Sequence, residues 1–186
     1  MDEQKHKIPE LFKSFLSDKP IENCIMCEKY LLEEGTAYFI EKAFKDDYVE
    51  VEYAICVDCA ENMKGSMSAQ SIKNIENYFM TKMQYMQENM MAFKNGGMNP
   101  EYLLTQCVIT GIKRENLKEY QIAGFFNGSF LNLLTFPFLI SGEAAEEINE
   151  LLSKETKGEI DGFVDDFIGL PPEWKKILKT NRPILI

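Results

Sequence analysis

A chain of 186 residues that is 45% apolar and 12% aromatic carries enough apolar side chains for a packed core, which excludes a disordered chain. Its 30 acidic residues against 20 basic ones give a formal net charge of −10, and both sides of Gly96 are acidic. That balance disfavours binding to nucleic-acid phosphates and association with anionic membranes.

Met1 to Lys7 is charged and lacks an apolar stretch, so no secretory leader is expected there. Pro9, Glu10, Leu11, Phe12, Phe15 and Leu16 predict a short amphipathic helix that Asp18, Lys19 and Pro20 end. Thr36 to Phe44 and Tyr48 to Ile55 read as two strands, joined through Lys45, Asp46 and Asp47 into a hairpin. The residues after Cys59 are compatible with a helical turn. Ser68 to Lys94 predicts one long helix, capped by Ser68 and ended by Asn95, Gly96 and Gly97. Ile72, Phe79, Met86 and Phe93 form its apolar stripe at seven-residue intervals, and at about 1.5 Å per residue such a helix is about 40 Å long.

Gly96 to Pro100 is the candidate boundary, dividing the chain into residues 1–95 and 96–186. Beyond it, Glu101 to Gln106 predicts a short helix, Val108 to Leu117 a turn-rich segment, and Tyr120 to Phe138 an apolar strand or loop region. The most apolar window, Phe125 to Ile140, is interrupted by Asn127, Gly128, Ser129, Asn132 and Pro137 and reads as buried core rather than a membrane span. Two helices follow, one capped by Ser141 and one opened by a Thr156–Glu159 capping box and stopped by Gly169; Pro171 and Pro172 precede a last short one with Trp174, Ile177 and Leu178. No internal repeat is legible in the letters. The expected fold class is α+β: an N-terminal zinc module with a β-hairpin, a long central helix and a mostly helical C-terminal domain.

The chemistry-bearing motif is a pair of short-spaced cysteine pairs, Cys24-Ile25-Met26-Cys27 and Cys56-Val57-Asp58-Cys59, separated by 28 residues. Zinc favours a tetrahedron of soft ligands, and two residues between cysteines let one tight turn aim both sulfurs at one point. The intervening hairpin returns the second pair to the first. Cys24, Cys27, Cys56 and Cys59 are therefore expected to hold one structural Zn²⁺ in a cytoplasmic protein, where disulfide frameworks are rare. The segment from Cys24 to about Lys64 resembles a treble-clef zinc finger: a cysteine knuckle, a hairpin, and a second pair at the start of a helix. That resemblance implies a four-cysteine site with ligands from both halves. It departs at Glu28, where such knuckles often carry glycine, so a plain zinc ribbon is the neighbouring alternative. A thioredoxin-type redox pair would need a βαβ context, which is absent.

Other residues have blander readings. His6 is the only histidine, and its place in a charged terminal segment argues against hydrolase or acyl-transfer chemistry. Cys107 begins Cys107-Val108-Ile109-Thr110-Gly111, a knuckle shape without its second cysteine, and is expected to be a buried small hydrophobe. Eight of ten methionines fall between Met63 and Met98, suiting core packing first and a partner or homodimer surface along 68–94 second. Glu146, Glu147, Asp165 and Asp166 belong to an acidic run expected to form a solvated face. The functional expectation is a non-enzymatic adaptor that meets another protein. The alternatives are a nucleic-acid-binding regulator using Lys42, Lys45 and Lys64, or a thiol-based redox sensor.

Overall fold

The computed structural model describes residues 6–46, 48–133 and 137–169. Its strands are β1 (His6–Lys7), β2 (Ala37–Lys45), β3 (Tyr48–Cys56), β4 (Glu119–Asn127), β5 (Phe130–Leu131) and β6 (Phe138–Ser141). They form one sheet in the order β1-β5-β4-β2-β3, and β6 also pairs with β4. Every pairing is antiparallel. β5 takes the Phe126–Asn127 end of β4, while β6 takes the stretch from Tyr120 to Ala123.

The β2–β3 hairpin forms where the alternating aromatic and β-branched residues predict it. Lys45 pairs with Tyr48, and Asp46, next after Lys45, has the positive φ (45°) common in tight hairpin connections. The widest junction in the sheet joins β2 to β4 along nine residues of each, from Ala37 opposite Asn127 to Lys45 opposite Glu119. On one face of that junction Tyr38 stacks on Phe126 at 5.5 Å and Phe44 stacks on Tyr120 at 4.6 Å. Phe12 closes this face, edge-on to Phe126 at 5.2 Å. Gly124 makes room for it, since a Cβ there would stand 2.9 Å from the Phe12 ring. The sheet thus crosses the division between residues 1–95 and 96–186 drawn from the sequence.

Five α-helices complete the described residues, and two of them pack on the opposite face. They are α1 (Val57–Ser66), α2 (Ala69–Lys82), α3 (Met86–Asn95), α4 (Gly142–Glu150) and α5 (Lys154–Phe163), the last continuing as a π-helical turn over Val164–Ile168. Phe79 of α2 packs on Phe138 at 6.0 Å, and Phe163 of α5 packs on Tyr53 at 5.4 Å. Mixed strands and helices agree with the α+β class. No helix among the described residues is long and apolar enough to cross a membrane.

Several local expectations are corrected. The long helix over Ser68–Lys94 is two helices, α2 and α3, broken at Met83–Tyr85. A tertiary contact outcompetes the helical period there: the Tyr85 N–H donates to the carbonyl of Val108 at 3.3 Å, and the Tyr85 ring lies over Gly111. Asn89 then anchors α3, its side-chain amide donating to the carbonyls of Leu103 (3.3 Å) and Gln106 (3.2 Å). Ser68 and Ser141 cap α2 and α4 as expected, but α5 begins earlier than the Thr156–Glu159 box. Its cap is Ser153, whose hydroxyl accepts from the Thr156 N–H at 3.1 Å. Glu101–Gln106 shortens to a 3₁₀ turn over Pro100–Leu104, and the lead-in helix to one over Glu10–Phe12. His6 lies in β1, with its ring 6.1 Å from that of Phe93. Gly169 ends the last helical turn in the left-handed conformation (φ 62°). The expected segment with Trp174, Ile177 and Leu178 lies outside the described residues.

One buried carboxyl sits at the middle of the β2–β4 junction. Glu41 pairs directly with Ala123 on β4 and with Tyr53 on β3. Burial pushes its pKa up to about 8, against the lowering effect of the Tyr53 hydroxyl, which donates to Oε2 at 2.6 Å. The folded chain therefore binds a proton that the unfolded chain has already released, and stability falls as pH rises from about 4.5 through 8. Glu41→Gln keeps an acceptor for Tyr53 and cannot ionise. Thermal unfolding at a series of pH values should show this variant gaining on wild type between pH 5 and pH 8, by at most about 1.4 kcal/mol per pH unit; a constant difference would show that Glu41 does not titrate there.

Candidate metal centre

Two local structures bring the four cysteines together. The first is a knuckle: after Cys24 the chain reverses, with the Glu28 N–H donating to the Cys24 carbonyl at 2.9 Å and the Cys24 N–H donating to the Lys29 carbonyl at 2.9 Å. Asn23 braces the turn from outside, its side-chain amide donating to the Glu28 carbonyl at 3.0 Å. The second is the passage from β3 into α1. Cys56 is the last residue of β3 and the N-cap of α1, and Cys59 lies one turn in, on the same side of the helix. The Ile25 N–H donates to the Ala54 carbonyl at 2.8 Å, stitching the knuckle to the end of β3.

The result is a tight cluster. One sulfur from each of Cys24, Cys27, Cys56 and Cys59 lies within 4.8 Å of every other, and Cys27 Sγ stands 3.7 Å from Cys56 Sγ. The edge of a tetrahedral site with metal–sulfur bonds of about 2.3 Å is about 3.8 Å. All four are free thiols. Cys24 and Cys56 are each 1% exposed, whereas Cys27 faces solvent. The structure therefore assembles all four cysteines named from the sequence, and they are positioned to hold one metal ion.

Electrostatics favours a cation here. Burial acts to raise the Cys24 thiol, but the backbone N–H groups of Cys56, Cys27 and Met26 all donate to it, and the net effect brings it down to about 7. Burial pushes Cys56 and Cys59 upward, and at Cys59 the neighbouring sulfurs of Cys56, Cys27 and Cys24 push the same way. Four thiolates this close repel one another, and a divalent ion between them turns that repulsion into attraction. The N-terminus of α1, with its partial positive charge, stabilises the thiolate forms of Cys56 and Cys59 that a metal requires. The backbone donors to Cys24 and the Asn23 brace are parts of the site that no motif in the sequence marks, because they depend on main-chain direction rather than on residue type.

Glu28 is where the knuckle departs from glycine, and the turn forms all the same, with Glu28 at φ 60°. A side chain in the left-handed region costs about 1 kcal/mol or slightly more. Cys107 does not join the four. It is fully buried, and its sulfur accepts from the N–H groups of Ile109 (3.4 Å), Thr110 (3.3 Å) and Ser141 (3.2 Å). Met63 and Met67 are buried, Met83 and Met86 pack against the core, and Met80 and Met91 are exposed. Glu146, Glu147, Asp165 and Asp166 all face solvent, Glu147 accepting from the Tyr78 hydroxyl at 2.8 Å.

Comparison with family models, curated proteins and solved structures yields no match.

Two outcomes follow from this geometry. Cys56→Ser and Cys24→Ser should each reduce bound metal, read by elemental analysis, to well below one ion per chain. Unfolding free energy should drop by about 3 kcal/mol or more, the scale of losing a metal or breaking a buried network. Unchanged metal content would remove these residues from the ligand set. Glu28→Gly should stabilise the metal-loaded chain by about 1 kcal/mol in chemical denaturation, by relieving the positive φ.

Proposed function

We propose that this is a non-enzymatic zinc-binding protein, its ion structural and held in a treble-clef-type site, and that it acts as a module for docking another protein. The observation that supports the structural role is where the sulfurs sit. They lie at the joint between the knuckle, the end of β3 and the first turn of α1, so an ion there locks three elements that otherwise meet through few bonds. Zinc suits the donor set, since four thiolates complete its tetrahedron and leave no open position for a reacting water. Metal binding of this kind contributes roughly 10 kcal/mol to the folding of small finger peptides.

The docking role is supported by the surface. Glu143, Glu146 and Glu150 line the exposed side of α4, in a chain of net charge −10, and Met80 and Met91 stand exposed on α2 and α3 at 81% and 63%. A partner with a basic contact surface matches this face. The nucleic-acid reading loses its proposed patch. Lys42 is buried and pairs with Glu52 at 2.9 Å, Lys45 pairs with Glu119 at 2.7 Å, and Lys64 lies 3.5 Å from Glu76. These lysines are matched by carboxylates of the same chain and are not presented as an unopposed cationic patch.

The discriminating experiment compares the zinc-loaded wild type with Glu143→Lys/Glu146→Lys/Glu150→Lys, both verified for metal content and fold. A partner isolated on the wild type and confirmed with purified components should lose at least about tenfold in affinity with the triple variant, and more at low than at high salt. Salt-dependent binding of wild type to mixed DNA or RNA would overturn the docking reading in favour of a nucleic-acid regulator. Zinc release with disulfide formation under mild peroxide would favour a redox sensor.

A further inference from the structure

The main-chain hydrogen bonds around Cys107 reproduce those around the four-cysteine cluster. In the first site Cys24 N donates to Lys29 O (2.9 Å), Glu28 N to Cys24 O (2.9 Å) and Ile25 N to Ala54 O (2.8 Å). Around Cys107 the same three bonds recur: Cys107 N to Ile112 O (2.9 Å), Gly111 N to Cys107 O (2.9 Å) and Val108 N to Leu139 O (3.0 Å). An isolated bridge joins Asn23 to Tyr30, and its counterpart joins Gln106 to Lys113. Glu28 and Gly111, the fifth residue of each knuckle, share the left-handed conformation at φ 60° and 70°. Each knuckle is followed by a nine-residue strand, β2 or β4, whose antiparallel partner, β3 directly or β6 after the short β5, runs straight into a helix. The last strand residue is the helix N-cap in both, Cys56 at φ −67°, ψ 154° and Ser141 at φ −70°, ψ 158°.

The correspondence continues past these helices. Ser68 caps α2 and Ser153 caps α5, and the two caps meet through reciprocal bonds. Ser68 N donates to Thr156 Oγ1 at 3.0 Å, Ser153 N donates to Ser71 Oγ at 2.8 Å, and the two serine hydroxyls stand 3.0 Å apart. β2 and β4 are displaced by 82 residues, and their pairing is its own mirror in that displacement: Ala37 opposite Asn127, Lys45 opposite Glu119, and Glu41 opposite Ala123 at the centre. The two aromatic stacks, Tyr38 on Phe126 and Phe44 on Tyr120, exchange under the same operation. Two copies of one unit thus meet about a local two-fold axis at the Glu41–Ala123 pair, as two subunits meet in an isologous dimer.

We propose that residues 106–163 are a second copy of the unit formed by residues 23–78, and that the Cys107–Thr110–Ser141 cluster is a latent site for a thiophilic divalent cation in which hydrogen bonds stand where metal bonds stood. Position by position, Cys24, Cys27, Cys56 and Cys59 correspond to Cys107, Thr110, Ser141 and Ala144. Cys24 Sγ accepts from the N–H groups of Met26, Cys27 and Cys56; Cys107 Sγ accepts from those of Ile109, Thr110 and Ser141. Cys27 and Cys56 sulfurs are 3.7 Å apart, and the Thr110 and Ser141 hydroxyl oxygens that replace them are 3.5 Å apart. One thiol, two neutral hydroxyls and a methyl group make no zinc site, so this copy holds its shape by direct bonds such as Cys107 Sγ to Ser141 Oγ at 3.6 Å. The spacing for an ion remains; the ligands do not.

The test restores the ligands in the full chain and titrates it with cobalt(II), whose d–d bands report tetrahedral thiolate coordination. Thr110→Cys/Ser141→Cys/Ala144→Cys should take up one more ion per chain than wild type, with the same band pattern, and Cys107→Ala in that background should abolish the extra tetrathiolate signal. Wild type carrying Cys107→Ser should keep its metal content unchanged. Because Ala144 is fully buried, Thr110→Cys/Ser141→Cys is made in parallel; its three thiolates with Cys107 should take the extra ion more weakly. Failure of the first site reads out separately, as wild type binding none while the triple variant binds one. The inference is overturned if the folded variants bind no more cobalt than wild type, or if neither variant folds in excess zinc.

Discussion

The pairing of β2 with β4 is the constraint from which the architecture follows. It joins two hairpin-and-helix units edge to edge, and its register decides what each face of the sheet must bury. With Tyr38 opposite Phe126 and Phe44 opposite Tyr120, one face becomes an aromatic layer that Phe12 can seal. A slip of one residue would turn these rings to the other side, against the helices, and carry Glu41 onto the face that Phe12 covers. The same register sets Glu41 beside Ala123, where a small neighbour leaves the Tyr53 hydroxyl as the carboxyl's partner.

Within this frame the four cysteines are positioned so that a bound ion would fasten local elements to one another. The knuckle reaches the rest of the protein through Ile25 N to Ala54 O, through the sulfur of Cys24, which accepts from Cys56 N at 3.4 Å, through the Lys29–Asp58 ion pair at 3.5 Å, and through Ile25 and Met26 packed on the core. An ion bound by all four sulfurs would add connections between knuckle, strand and helix at one point. The second unit shows a different solution to the same problem. Its knuckle is fully buried at Cys107 and Val108, covered by Tyr85 and the Val108-bound break between α2 and α3, and packing substitutes for a fastener. In the first unit Cys27 faces solvent.

The break in the expected long helix belongs to this exchange. The heptad stripe of Ile72, Phe79, Met86 and Phe93 is genuine in the sense that Phe79 and Met86 pack against the core. It is compatible with one straight helix or with two short ones, and side-chain periodicity does not distinguish them. The decisive bond, Tyr85 N to Val108 O, links residues 23 positions apart. Similarly, the Ser153 cap and the Thr156–Glu159 box are both acceptable helix starts locally; the reciprocal bonds between Ser68, Ser71, Ser153 and Thr156 select the former.

What the sequence determined by itself is what depends on neighbours in the chain. The β2–β3 hairpin, the Ser68 and Ser141 caps and the convergence of Cys24, Cys27, Cys56 and Cys59 are legible because turn chemistry, capping and two-residue cysteine spacing are short-range rules. What tertiary structure alone decided is how the two halves meet: the shared sheet, the helix break at Met83–Tyr85, and the likeness of the Cys107 cluster to the metal centre. That likeness is hidden in the letters because three of four ligands changed. It survives in the backbone because hydrogen-bond direction and strand register are set by main-chain geometry, which tolerates such substitutions.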